Sequence, residues 1–180
     1  VSGPRSTGAG TRPAVVRLRE GADLPGCVDG LAAVHRLDRY PTRWPDDPGR
    51  WLTPPRLAAA WVVDDGEVQG HLALVRGVED EQLVRATGRP AAELVAVSRL
   101  FVRPAARGRG LGERLLRTAA EHAVRDGAGL VLEVVAEGRS AALRLYARLG
   151  WEQVGQRTAS WTTPDGARPR LVLLRWVPGG

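Results

Sequence analysis

An apolar run, Leu94 to Val102, and an amphipathic run, Leu111 to Val124, are separated by Pro104 and then Arg-Gly-Arg-Gly-Leu-Gly, Arg107 to Gly112. The order is that of a strand, a turn and a helix, with glycine at three alternate positions of the turn. Without Cβ atoms, such a backbone reaches left-handed conformations and lets its N–H groups approach a ligand closely. The helix that follows adds a partial positive charge at its N-terminus, so the turn is suited to an anion such as phosphate or pyrophosphate. Leu111, Leu115, Ala119 and Val124 fall on one predicted helix face, with Leu116, Ala120 and Ala123 beside them, and Arg114, Arg117, Glu121 and Arg125 elsewhere.

Two common phosphate-binding patterns do not fit. No Gly-Lys-Ser/Thr follows the turn, since Gly112 precedes Glu113, and the third glycine of a dinucleotide fingerprint would fall at Glu113. The turn also comes after several strands, not in an opening βαβ unit.

The remainder reads as one domain, residues 14–180, behind a flexible tail of Gly, Ser, Thr, Arg and Pro at residues 1–13. Ala14 to Arg19 is a first strand, and Asp23 is placed to cap a helix through Val28, Leu31 and Val34. Tyr40 to Pro55, with five prolines and Trp44 and Trp51, reads as a loop that packs on the core or walls a pocket. Strands Ala59 to Val63 and Val68 to Val75 flank Asp64-Asp65-Gly66-Glu67, a hairpin turn. A loop with Asp80, Glu81 and Arg85 leads to the central strand, Glu93 to Val102. Leu130 to Val135 is a buried strand, Ser140 to Leu149 a helix stopped by Gly150. Trp161 to Thr163 and Leu171 to Trp176 read as a last pair of strands. Hairpins mixed with helices imply an α/β fold on a mixed sheet.

Composition narrows the partners. The net charge of +6 comes from arginine, as the chain has no lysine, and no basic run carries interleaved aromatics. The arginine accompanies abundant Ala, Gly and Pro, a bias that a GC-rich genome produces, so no nucleic-acid partner is expected. One cysteine, Cys27, excludes a disulfide framework, and it reads as a small apolar filler. The three histidines share no zinc-like spacing, so no metal is expected. No apolar run approaches the ~20 residues that span a bilayer, and no signal-like segment opens the sequence. A cytoplasmic location without membrane attachment is the expectation.

Arg107, Gly110 and Gly112 form an Arg-x-x-Gly-x-Gly signature, and Ala142 to Trp151 reads Ala-Leu-Arg-Leu-Tyr-Ala-Arg-Leu-Gly-Trp. Together they resemble the GCN5-related N-acetyltransferase (GNAT) superfamily from about Glu93 to Trp151. The resemblance implies a mostly antiparallel twisted sheet flanked by helices, acetyl-coenzyme A as co-substrate, an amine acceptor, and a possible homodimer. It places Arg107, Gly108, Arg109, Gly110, Leu111 and Gly112 on the pyrophosphate. Leu100, Phe101 and Val102 would offer backbone groups to the pantetheine arm as an added strand does. Arg139 stands where the family often has asparagine, seven residues before Tyr146, and would meet a cofactor phosphate or water.

The implied reaction is transfer of an acetyl group to a primary amine of a small molecule or peptide by direct attack on the thioester. The amine, with a pKa of ~10 when lysine-like, must lose a proton, and the departing thiolate, near ~8.5, must gain one. The resemblance makes Tyr146 the proton donor. Base candidates are Glu93 and Ser98 on the central strand and Glu133 on the next, where burial among Leu130 to Val135 would raise the carboxyl pKa. His71 is a further candidate, or a satisfied strand histidine. Acceptor recognition would fall to about Leu24 to Pro55 and Ala159 to Trp176. There Trp44, Trp51 and Trp161 can wall an apolar group and Asp46 and Asp47 attract a cation. A non-catalytic acyl-coenzyme A sensor is the alternative.

Overall fold

A computed structural model describes residues 12–136 and 141–179. One seven-stranded sheet carries the chain from Val15 to Trp176, in the order β1-β2-β3-β4-β5-β7-β6. The strands are β1 (Val15–Leu18), β2 (Leu57–Asp64), β3 (Val68–Arg76), β4 (Leu94–Val102), β5 (Gly129–Val135), β6 (Trp151–Thr158) and β7 (Arg170–Trp176). All neighbours are antiparallel except β4 and β5, which run parallel. The β2–β3 hairpin closes as its sequence dictates: Gly66 takes φ 108°, and its amide donates to the Asp64 carboxylate at 2.8 Å.

Alternate residues of the strands enter different cores. Trp61 and Val63 of β2, Leu130 and Leu132 of β5, and Val172 and Leu174 of β7 join one cluster with Leu111, Leu115, Leu116, Ala119 and Ala120. Those five belong to α4 (Leu111–Arg125), whose neighbour on that face is α5 (Ala141–Arg148). The residues between them point the other way. Val62 meets α1 (Leu24–Asp38) and α2 (Pro48–Leu52), while Val131 and Leu173 meet Leu83 of α3 (Glu81–Thr87). The sheet is therefore covered on both faces, with α4 and α5 on one and α1, α2 and α3 on the other. Among the described residues no helix is long and apolar enough to cross a membrane.

Several elements differ from the sequence reading. The loop expected from Tyr40 to Pro55 contains α2, capped by Asp47, whose carboxylate accepts the Arg50 amide at 2.8 Å. The loop expected around Asp80 and Glu81 is α3. Asp80 accepts from the amides of Gln82 and Leu83, and Gly88 closes the helix at φ 65°. Both helices are too short to display a hydrophobic period. Trp161 to Thr163 is not a strand; β7 pairs instead with β6, an edge strand whose Glu152, Gln153, Gln156 and Arg157 hide the alternation. Asp23 precedes α1 but does not cap it, because its carboxylate takes Arg17 at 2.7 Å and the Glu20 amide at 2.7 Å. Val124, placed on the buried face of α4, is 56% exposed. The tail expected at residues 1–13 lies outside the described residues as far as residue 11.

Candidate active site

The parallel pair β4 and β5 is zipped only from Leu94 opposite Gly129 to Val97 opposite Leu132. Beyond it β4 continues to Val102 beside β3 alone, and β5 continues to Val135 beside β7 alone. Two backbone edges, residues 98–102 and 133–135, therefore face each other across an open seam. A cleft of about 870 Å³ occupies it, lined by Ser98, Arg99 and Leu100 from one edge and Glu133, Val134 and Val135 from the other.

A β-bulge places the β4 side chains at the seam. His71 pairs with Phe101 but Ala73 with Ser98, so β4 carries one extra residue, and Arg99 there takes φ 54°. A left-handed conformation is costly for a residue with a Cβ, and buried partners hold it. The Arg99 carbonyl accepts from Nδ1 of His71 at 2.9 Å, while Nε2 of His71 lies 3.1 Å from a guanidinium nitrogen of Arg19. Arginine only donates, so Nε2 accepts and the proton sits on Nδ1. Fully buried and stacked on Phe101 at 5.6 Å, His71 has its pKa pushed down to about 4, chiefly by desolvation. It is the satisfied strand histidine, with both ring nitrogens engaged, and not a base.

At one end of the seam lies the glycine turn. Gly108 and Gly110 sit at φ 77° and 70°, the latter as the N-cap of α4, so their backbone requires glycine. Gly112 differs. Its φ is not left-handed, and a Cβ there would meet only Leu145 at 3.7 Å and Val102 at 3.8 Å, ordinary contacts. Among the described residues no acceptor meets the amides of 108–113, which is the unsatisfied end that an anion completes. Arg107 is paired with Asp38 at the end of α1, and Arg109 with Asp65 at 2.9 Å.

Tyr146 comes from α5 into the wall of the cleft, packed edge-on against Trp151 at 5.9 Å. Burial, and secondarily the nearby Tyr40, hold its hydroxyl well above the ordinary phenol range. That hydroxyl meets no acceptor among the described residues. No sealed polar side-chain atom lacks a partner there, so it is reached from the cleft.

The family model described as the acetyltransferase (GNAT) family matches residues 29–151. The chain belongs to the GNAT acetyltransferase family. The match runs from within α1 to the first residue of β6 and so includes the seam, the glycine turn and Tyr146. An L-methionine sulfoximine/L-methionine sulfone acetyltransferase of Pseudomonas aeruginosa is 35% identical over 68 residues, 34% of this chain and 40% of that protein. The chain thus spans about two-fifths of that relative. Among solved structures, Arabidopsis thaliana NAA60 in complex with acetyl-CoA superposes with a TM-score of 0.72. It is 19% identical, covering 93% of this chain and 100% of that one. A ribosomal-protein-alanine N-acetyltransferase from Brucella melitensis gives 0.70 at 21% identity over 91% and 99% of the two chains. These neighbours share the GNAT fold: an open mixed sheet covered on both faces.

Within this GNAT domain the expected site residues separate. Leu100, Phe101 and Val102 do lie along the open edge of β4, and Ser98 and Tyr146 do line the cleft. Glu133 lines it too, but it is exposed and paired with Arg157 at 2.6 Å, so the expected burial is absent. Glu93 does not join them. It sits exposed in the turn before β4, at the zipped end, 3.7 Å from Arg89. Arg139 lies outside the described residues. Trp161 borders the cleft, whereas Trp44 packs on His35 at 5.3 Å, and Asp47 is spent as the α2 cap with the exposed Asp46 beside it. Cys27 is fully buried and its thiol is pushed up to about 11 by desolvation, as suits a filler.

Among the cleft residues that escaped the sequence reading are Tyr40, Arg56, Glu79, Asp80, Arg99 and Arg157. Tyr40 stands edge-on to Trp51 at 6.0 Å, and burial pushes its hydroxyl up to about 12 despite the opposing charge of Arg99. Arg157 of β6 bridges Asp80 at 3.0 Å and Glu133. The one available signal was Tyr40, since the chain has only two tyrosines.

Proposed function

We propose that the chain transfers the acetyl group of acetyl-CoA to a primary amine by direct attack of the amine on the thioester. The observation that carries this reading is the open seam between β4 and β5, with the glycine turn at one end and Tyr146 in its wall. Acetyl-CoA fits the residues present. Its pyrophosphate meets the partnerless amides of the turn, and its pantetheine arm takes the strand position that β5 leaves empty beside residues 98–102.

The rest of the step belongs to this chain's own groups. An amide on the open edge of β4 polarises the thioester carbonyl as its oxygen gains charge. Glu133, directly or through water, takes the proton that frees the amine lone pair. As the carbon–nitrogen bond forms and the carbon–sulfur bond breaks, the Tyr146 hydroxyl gives its proton to the departing sulfur. Glu133 passes the ammonium proton on to solvent, and the second proton, lost from nitrogen as the amide forms, returns to the phenolate through solvent, so both side chains end in their starting states. Because burial raises Tyr146 above the ordinary phenol range, the donor stays protonated at neutral pH.

Thiol release from acetyl-CoA across a panel of small amines and peptides tests the reading. Turnover with at least one amine is expected. Tight cofactor binding without turnover on any amine would identify a sensor of acyl-coenzyme A and sink the enzyme reading.

A further inference from the structure

We propose that Arg99 anchors a carboxylate of the acceptor, so that the amine acetylated here is a zwitterion, an amino acid or an amino-acid-like compound. The inference rests on the acetyl-transfer reading above and names the acceptor class of that same cleft.

The argument begins with charge. Arg56 on the cleft wall is matched by Glu79 at 2.8 Å, and Arg157 is matched twice, by Asp80 and Glu133. Among the described residues, Arg99 alone of the cleft arginines has no carboxylate partner. Its Nε donates to the Trp51 carbonyl at 3.1 Å, and its guanidinium carbon lies 4.0 Å over the Trp51 ring. Its two terminal nitrogens meet no acceptor among the described residues, and, lacking partners, neither is sealed from solvent in the cleft that Arg99 lines.

That arrangement is built rather than incidental. The bulge and its left-handed φ turn Arg99 toward Trp51 and Tyr40, and the buried His71 fixes the carbonyl behind it. Burial draws the guanidinium below its usual pKa, so the fold bears a desolvation cost that no internal anion offsets. A guanidinium held flat on an aromatic ring with its fork free is the geometry that takes a carboxylate by two parallel hydrogen bonds.

The other side of the cleft carries the opposite imbalance. There, among the described residues, Asp80 and Glu133 share the one cation Arg157, which leaves one formal negative charge in excess beside the α3 amides that Asp80 also accepts. One cleft thus offers an uncompensated cation and an uncompensated anion. An ammonium group and a carboxylate on one small molecule satisfy both.

Matched pairs of amine acceptors test this: free amino acids against their primary amides and decarboxylated amines, followed by thiol release from acetyl-CoA. For the acceptor class used, kcat/KM for the acid is expected to exceed that for the amide by about 100-fold, chiefly through KM. Arg99→Gln should shrink that preference to within about threefold, and Arg99→Lys should restore part of it. Equal use of acid and amide by the native protein overturns the anchor while leaving acetyl transfer standing. Absence of turnover with every amine overturns acetyl transfer instead. In that case calorimetric binding of N-acetylated amino acids and their amides to the coenzyme A-bound protein decides the anchor. Preference for the acid supports it, and equal binding overturns it.

Discussion

The two sides of the seam are made from different materials. The side assigned to the cofactor is nearly contiguous in sequence: the free edge of β4 from Ser98, the bulge, and the turn ending at Gly112. It works through backbone groups. The acceptor side is assembled from side chains of separate segments, with Tyr40 after α1, Asp80 before α3, Arg99 at the bulge over Trp51 of α2, Arg157 on β6 and Trp161 after it. A backbone site accepts one handle, a nucleotide pyrophosphate and its arm, whatever the side chains are. A side-chain site can be rewritten residue by residue. The difference would let one seam keep its donor while its acceptor side changes.

Tyr146 stands where the two sides meet, and its loss should have the largest effect. Tyr146→Phe removes only a hydroxyl that has no hydrogen-bond partner among the described residues, so folding should be retained. Loss of a positioned proton donor predicts a fall in kcat of roughly 10²–10³-fold. KM for acetyl-CoA should stay within about threefold. A fall in cofactor affinity with kcat preserved would instead make Tyr146 part of the backbone-lined cofactor side.

The same difference governs what the sequence disclosed. Arg107 to Gly112 and Ala142 to Trp151 are local patterns, and they disclosed the family and its fold and marked the glycine turn and Tyr146 as candidates, because contiguous backbone sites leave contiguous signatures. Asp80, Arg99 and Arg157 left none, and Tyr40 left only its rarity, since they converge only after seven strands are ordered. Arg99 was hidden further by its place in an apolar strand, where the bulge that turns it cannot be read from alternation. Glu133 was visible as a residue but misjudged in setting. Its neighbours Leu132 and Val134 face the core, and Glu133 itself faces Arg157 at the open edge.

The next test acts on the support beneath the acceptor side. Free histidine titrates near 6.5, whereas His71 is held neutral in the fold down to about 4. Below pH 6.5 the unfolded chain takes up a proton that the folded protein refuses. Stability therefore falls as pH drops through that interval, and is fully present above it. Between pH 7 and pH 4.5 the loss should reach about 2–3 kcal/mol, read as the urea midpoint at each pH. His71→Asn keeps an amide donor for the Arg99 carbonyl and should flatten that interval. Should the slope persist in His71→Asn, another group carries it.

On the cofactor side the glycines separate conformation from space. Gly110→Ala forces a Cβ into φ 70° where nothing crowds it, so the cost is conformational, roughly 1–2 kcal/mol. A fall in Tm of about 3–6 °C follows for a chain of this size, with weaker acetyl-CoA binding by calorimetry. Gly112→Ala meets no such barrier and should leave Tm within about 1 °C. Equal losses at both positions would mean that the turn needs glycine for closeness to its own neighbours, against the 3.7 Å and 3.8 Å contacts of Gly112.

The smallest effect is expected at Glu93, the base candidate that the fold sets apart. It lies where β4 and β5 are still zipped, exposed, and paired with Arg89 at 3.7 Å across its own turn. An exposed pair of that kind contributes about 0–1 kcal/mol, and the open seam begins only beyond Val97. Glu93→Gln should therefore change kcat by less than about twofold and leave Tm nearly unmoved. A tenfold loss of kcat at constant Tm would mean that the reacting amine reaches the zipped end of β4. The division between an open cofactor edge and a side-chain wall beyond Val97 would then be drawn in the wrong place.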